Sequence, residues 1–349
     1  MVEGPGATRN GRKVQPVVGL VLTEINSNIM PPTKTKTLEG RRLESAFSVG
    51  KEVFLILGPV ILGRTVLHQN ENENTNTNTN TYKSPKEQQS SENNNKPIAL
   101  RLHFGMNGCL TVRNPGESSK LAPWRKNDKS SKKCTIKFSR SSVVVDDELN
   151  HLIRDDTTMV IIETVASTCT VVSAFVAQSK LTRLATRDVC GGSNIFEPQA
   201  VLESILEKRS NAMVCDALLD QDRFPGVGNI IKIEGLHKAG IHPRRFVEGL
   251  SREELMKTIL ECRTYAMGWL SSGRAPTKRV YNQTKCGSCR TGRVRMVKMG
   301  TDLSRVTFWC EKCQPFIVTT NPTSSTKGIS NDEFRKGHIS KDIHTEQQE

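Results

Sequence analysis

Two features of this 349-residue sequence have the residue types and spacing to do chemistry. Toward its C-terminal end stand Cys286-Gly287-Ser288-Cys289 and Cys310-Glu311-Lys312-Cys313, two C-x-x-C pairs with twenty residues between them. Each pair can reach one ion from a tight turn, and four thiolates complete a closed tetrahedral shell, the ligand set of a structural Zn2+. A closed shell leaves no open position, so the metal is expected to hold a fold and not to react. A redox C-x-x-C would want a βαβ setting and would not account for two matched pairs. The second feature is Pro225-Gly226-Val227-Gly228-Asn229, a turn that opens an apolar-periodic helix. Its two glycines leave the backbone bare, so main-chain amides at a helix N-terminus can face a phosphate, and Asn229 is placed to join them. Turn chemistry alone fits an ordinary helix corner equally well.

The elements that must position these groups change character along the chain. Apolar and β-branched runs predict strands over 17–22, 53–57, 98–104, 134–138, 142–145, 160–165 and 171–176, with Lys51 at the entrance of the second. Residues 69–96, an Asn- and Thr-rich tract with almost nothing to bury, are expected to be a disordered insertion. Strands on either side of it can still pair, because loop closure costs only logarithmically more with length. Helix signals take over at Glu197-Pro198 and continue through a short run over 216–220. The helix after the turn stops near Gly240, and Ser251 to Glu254 form a capping box for a long helix reaching Leu270. A basic linker over 273–285 leads to a predicted hairpin over 291–309 that carries Arg305. Beyond Thr319 the chain is polar without periodicity, and the small, acidic Val2 to Gly6 read on their own as a frayed end.

Lysine and arginine number 50 against 36 acidic residues, a net charge of +14, which points to a polyanionic partner, most often nucleic acid. No apolar h-region opens the chain, and no uncharged run is long enough to span a bilayer. A soluble intracellular protein with reduced or metal-bound cysteines is the expectation. The remaining six cysteines (Cys109, Cys134, Cys169, Cys190, Cys215, Cys262) are expected to be buried free thiols.

A basic chain with a β-rich front, a PGVGNI helix corner and a terminal four-cysteine hairpin resembles the Fpg/Nei family of DNA glycosylases. The resemblance also includes Val2-Glu3, Lys51, His103-Phe104-Gly105-Met106, Glu234 and Gly240-Ile241-His242-Pro243. It implies an α+β fold in three parts. These are an N-terminal β-sandwich catalytic lobe over 2–195, a helix–two-turns–helix domain over 196–275 and a zinc finger over 280–316, followed by a disordered tail over 317–349. It further implies damaged DNA as the partner, a nuclear location and a monomer.

By the same resemblance, removal of Met1 would leave the α-amine of Val2 as the nucleophile that attacks C1′ of a damaged nucleotide. Such an amine titrates near ~7.7–8.0, well below the ~10.4 of lysine, so a neutral fraction exists at physiological pH. Glu3 would protonate the sugar ring oxygen, and Lys51 would stand near the reacting sugar and phosphate. Asn229 and Arg305 would grip the phosphates, the latter as a guanidinium fork. Met106 would fill the gap left by a flipped base. Blander roles exist for each: a helix cap for Asn229, a solvated hairpin residue for Arg305 and a core gap-filler for Met106.

Two departures from the family pattern carry expectations of their own. Valine replaces the usual proline nucleophile, so the Schiff base is an imine that must itself be protonated, and β-elimination is expected to be weak. The arginine–phenylalanine pair that usually supports the opposite strand has no counterpart between Cys134 and Ile195. A preference for single-stranded or open DNA follows. No cysteine follows Cys313, so no second zinc module is expected within these residues. A non-catalytic nucleic-acid-binding protein with the same corner and hairpin is the competing reading.

Overall fold

The computed structural model describes residues 2–60, 96–105, 108–121, 133–140, 159–300 and 304–316. The Asn-rich tract (apart from Lys96), the strand expected over 142–145, Met106 and the 317–349 tail lie outside the described residues.

Eight strands form one antiparallel sheet: β1 Val21–Ser27, β2 Arg41–Val49, β3 Glu52–Val60, β4 Ile98–His103, β5 Cys109–Arg113, β6 Lys133–Ser139, β7 Met159–Val165 and β8 Thr168–Ser173. Their order is β5-β7-β6-β1-β2-β3-β4-β8. Strands β1 and β2 share a single register pair, Val21 with Arg42, so the sheet folds over there into two four-stranded layers. Both layers fill one core, with Leu22, Ile136, Phe138 and Ile162 from one and Leu43, Val53, Leu55, Leu57, Leu100 and Leu102 from the other. The run Val53-Phe54-Leu55-Ile56-Leu57 is apolar throughout because β3 is buried on both faces. Its odd-numbered residues enter the sandwich, and Phe54 and Ile56 lie under a helix through Ala177 and Leu184.

The helices are α1 Gly4–Val14, α2 Pro32–Lys36, α3 Ala174–Leu184, α4 Pro198–Arg209, α5 Val214–Ala217, α6 Asn229–Ala239 and α7 Arg252–Ser272. Helices α4 to α7 enclose a second core built on Val201, Ile205, Leu218, Phe224, Ile231, Leu236, Ile259 and Cys262. Helix α6 is buried nearly all round, and α7 begins with the expected capping box. Strands β9 Val294–Met299 and β10 Arg305–Cys310 form the hairpin, which packs on α6 through Ile233, Val280, Val294 and Phe308. Among the described residues no helix is long and apolar enough to cross a membrane.

Four local expectations need correction. The N-terminus is not frayed: α1 begins at Gly4 with Pro5 in its first turn, and buries Ala7, Asn10, Gly11 and Val14. Three glycines in that helix disfavour it locally, and packing against both cores overrides them. The strand expected over 17–22 begins only at Val21, because the chain first makes a 3-10 turn at Gln15–Val17. The strand expected over 171–176 stops at Ser173, whose hydroxyl accepts the amide of Val176 and so starts α3. The run over 216–220 shrinks to the one-turn α5.

Candidate functional site

The site is assembled where α1 meets the PGVG turn. Gly226 has φ +88, a left-handed conformation that only glycine adopts without strain, and its carbonyl accepts the amide of Gly4 at 2.8 Å. A Cβ on Gly4 would lie 3.0 Å from the Gly226 Cα, so the two backbones touch directly. Glu3, the N-cap residue of α1, is thereby driven under the first turn of α6. Its Oε1 accepts from the Ile230 amide at 2.8 Å and its Oε2 from the Ile231 amide at 3.1 Å, with no exposed surface. A Cβ on Gly228 would come within 2.4 Å of the Glu3 Cδ, so that glycine is where the carboxylate fits.

This corrects the expectation for the helix N-terminus. Two of the amides at this helix N-terminus, those of Ile230 and Ile231, are taken by a carboxylate from the chain itself, because any anion satisfies the positive end of a helix. Burial raises the pKa of Glu3, opposed by the two amides and by Lys51.

Val2 packs its side chain against the sandwich core, and its backbone nitrogen donates to the Gly105 carbonyl at 3.0 Å. Gly105 stands just past the end of β4, at φ +60. Lys51 occupies the β2–β3 turn, whose Gly50 (φ +62) would place a Cβ 3.3 Å from the Pro225 Cβ. Desolvation lowers the Lys51 ammonium to about 8; Glu3 opposes that shift and the Arg305 guanidinium adds to it. Lys51 thus stands in the field of two groups far from it in sequence, Glu3 and Arg305. Arg305 itself is the exposed first residue of β10.

Asn229 does not cap α6; Gly228 holds that position without a side-chain bond. Instead the Asn229 amide nitrogen donates to the Val306 carbonyl at 2.8 Å, tying the helix to the hairpin strand beside Arg305. Sequence reasoning missed the next two ties. The buried Lys232 Nζ donates to the Thr307 hydroxyl at 2.9 Å, and desolvation lowers that ammonium to about 8. The Glu234 carboxylate accepts three successive amides, Arg279, Val280 and Tyr281, at 2.8, 3.1 and 2.8 Å, and so fixes the linker to the hairpin. A signal was available: Lys232 and Glu234 interrupt an otherwise apolar run, and charges on an all-round apolar helix are buried with partners.

The four hairpin cysteines converge, with all Sγ atoms within 4.8 Å of one another and the Cys286–Cys313 and Cys289–Cys310 pairs at 3.8 and 3.7 Å. Thiolates at ~2.3 Å from a tetrahedral ion stand about 3.8 Å apart, so this shell fits one metal ion. Backbone amides of Ser288, Gly292 and Cys313 point at the sulfurs at 3.2–3.4 Å, and His237 Nε2 lies 3.3 Å from Cys286 Sγ. Such contacts orient and stabilise ligating thiolates.

No family model matches the chain. Endonuclease 8-like 3 of Homo sapiens is 28% identical over 324 residues, covering 90% of this chain and 46% of that protein. The Xenopus laevis protein of the same name is 31% identical over 221 residues, 62% of this chain and 32% of its own length. Endonuclease 8-like 2 of Homo sapiens is 38% identical over 108 residues, 29% of this chain and 32% of that protein. The chain thus spans less than half the length of these curated relatives. Among solved structures, a viral DNA glycosylase superposes with a TM-score of 0.61 at 18% identity, over 90% of this chain and all of that one. Lactococcus lactis Fpg in complex with DNA containing N7-benzyl-Fapy-dG gives 0.60 at 16% identity, with the same coverage. Its sequence relatives are thus endonuclease 8-like proteins, and its fold is that of the Fpg-type DNA glycosylases.

Proposed function

We propose that this chain is a bifunctional DNA glycosylase and AP lyase of base excision repair, acting on oxidised bases of the hydantoin and formamidopyrimidine type. Its substrate is damaged DNA, with single-stranded or open DNA favoured, and it works as a monomer in the nucleus. The reading divides the chain into a catalytic sandwich over 2–195, a helix–two-turns–helix domain over 196–275 and a zinc finger over 280–316.

The observation that carries it is Glu3: a fully buried carboxylate next to the first residue of the mature chain, held by two helix amides and in the field of Lys51. Its place beside that N-terminal nitrogen and the Lys51 ammonium, rather than burial alone, suits a group that moves a proton. Once Met1 is removed, the Val2 nitrogen becomes a primary amine in a place already fixed by its contact with Gly105. Its lone pair forms the bond to C1′, the glycosidic bond breaks, and the base leaves with a proton. Glu3 supplies a proton to the ring oxygen as the ring opens to the protonated imine, which can then lose its N–H proton to become the neutral imine. Beta-elimination needs that imine protonated, so strand cleavage lags behind base release. Lys51, Asn229 and Arg305 position the strand, and Met106 fills the vacated space.

Cys286, Cys289, Cys310 and Cys313 would hold Zn2+, which supplies no chemistry to the reaction and fixes the hairpin that presents Arg305.

Borohydride trapping on an abasic single-stranded oligonucleotide tests the reading. A covalent adduct is expected from the Met1-processed protein and not from a form with Met1 retained. Salt-dependent binding without an adduct would identify a non-catalytic DNA-binding protein instead.

A further inference from the structure

Asp188 has no place in the chemistry above, yet it lies at the junction of everything that chemistry uses. It follows the 3-10 turn Ala185–Arg187 on the segment leading from the sandwich to the helical lobe, and is 5% exposed. Its two oxygens are shared between the lobes. Oδ2 accepts the amide of Gly50, the residue before Lys51, at 2.7 Å, and Oδ1 accepts the amide of Cys190 at 2.8 Å.

The flanking backbone is pinned as well. The Val189 amide donates to Pro225 O at 3.0 Å, and the Arg263 guanidinium on α7 donates to Val189 O and Gly191 O at 2.5 and 2.6 Å. A Cβ on Gly226 would meet Val189 Cγ1 at 2.8 Å and Asp188 Oδ1 at 3.4 Å. Asp188 thus holds the turn that carries Lys51, and its neighbour Val189 holds the Gly226 turn on which Gly4 packs beside Glu3. Burial raises its pKa to about 6, the cost of keeping a carboxylate here. A carboxylate is what the geometry demands, because two N–H groups on different sides need two acceptor oxygens. An asparagine would turn its NH2 against one of them.

Resting on the glycosylase reading, we propose that Asp188 is a positioning residue that sets Lys51 against Glu3 by fixing the Gly50–Lys51 turn on the Gly226 turn. The test is Asp188→Asn, alone and in a Lys51→Ala background, with Asp188→Glu as a variant that keeps both acceptors. In 15Nζ lysine NMR the Lys51 titration is expected to move from about 8 toward the ordinary ~10.4 in Asp188→Asn and to return part of the way in Asp188→Glu. Single-turnover base release from a hydantoin-containing single strand is expected to fall about tenfold or more, with DNA affinity changed less than about threefold. In the Lys51→Ala background the same substitution is expected to add less than about twofold, since residues acting as a unit are not additive.

An unchanged Lys51 titration, or a full additional loss of rate without Lys51, overturns the proposal and leaves Asp188 as a fold support. Should Asp188→Asn fail to fold, Asp188→Ala, which removes both acceptors, carries the titration readout, and an unmoved Lys51 in it is again the overturning result. A wild-type protein that releases no base sinks the glycosylase reading, while the titration still decides the role of Asp188.

Discussion

Replacing Gly228 by alanine adds one methyl group 225 residues away from Glu3, and the structure predicts loss of activity through Glu3 alone. The backbone at Gly228, φ −115 and ψ −169, is extended and suits alanine, so no conformational strain is introduced. The new Cβ would lie 2.4 Å from the Glu3 Cδ and 2.5 Å from its Cγ, where carbon atoms normally keep ~3.5–4.0 Å. The carboxylate must therefore retreat by about 1 Å or more, away from the Ile230 and Ile231 amides. Hydrogen bonds to charged groups contribute ~1.5–3 kcal/mol each, so losing both costs about 3–6 kcal/mol of stability. A misplacement of ~1 Å in a reacting group costs on the order of 100-fold in rate. Single-turnover base release, normalised to active sites by borohydride trapping, and denaturant unfolding measure the two effects. Ile231→Val is the control: it opens a small void on the same helix, costs ~0.5–1.5 kcal/mol, and should leave the rate per folded molecule intact. A Gly228→Ala protein with base release within about threefold of wild type would refute the assignment of Glu3 as the acid, whatever its stability.

Removing the metal with a chelator, or substituting Cys310→Ser, should loosen the hairpin and release Val306 from Asn229 and Thr307 from Lys232. DNA affinity should then fall, as read by anisotropy, and the emission of Trp309 on β10 should shift toward that of an exposed indole, while circular dichroism keeps the signal of the sandwich. Val2→Pro, in the Met1-processed protein, should raise strand cleavage relative to base release by about tenfold, since a secondary amine gives a permanently cationic iminium; an unchanged ratio argues against the imine bottleneck. Lys51 loses its charge as pH rises through about 8, so DNA affinity should fall between about pH 7 and 9. Lys51→Arg, charged throughout, should flatten that limb; an identical profile would assign it to another group, Lys232 first among them.

The parts legible from sequence are those whose signal is local. Four cysteines at fixed spacing specify their own geometry, and the capping box at Ser251 to Glu254 lies within four consecutive residues. Strand β3 could be read because five consecutive apolar residues have few other places to go. Helix α1 could not, since its buried positions are filled by Gly4, Ala7, Asn10 and Gly11 and its stability comes from packing. The PGVGN turn was recognised as a site of close backbone approach, but what approaches was hidden: a carboxylate from the other end of the chain, as polar as the phosphate expected there. Asp188 and Lys232 escaped for the same reason. Their partners, Gly50 and Thr307, are 138 and 75 residues away, and no spacing rule reaches so far.

With the positive end of α6 already neutralised by Glu3, approaching phosphates must be met by side chains, and their charge falls close to a buried carboxylate. Like charge at short range disfavours ionisation, so DNA binding should push the pKa of Glu3 above the level to which burial has already raised it. The protein should therefore take up protons when it binds an abasic analogue, and the enzyme would arm its acid by binding substrate. Calorimetry in buffers of differing ionisation enthalpy measures this uptake. At about pH 6.5 Lys51 is already protonated, so its own response is silent there. Asp188, raised to about 6, also titrates in this range, and Asp188→Asn separates its share. Glu3→Gln keeps the size of the side chain and cannot titrate, so it should abolish most of the uptake while retaining affinity. A binding enthalpy independent of buffer in the wild type, or uptake undiminished in Glu3→Gln, would mean that Glu3 keeps its charge when DNA binds and acts through electrostatics alone.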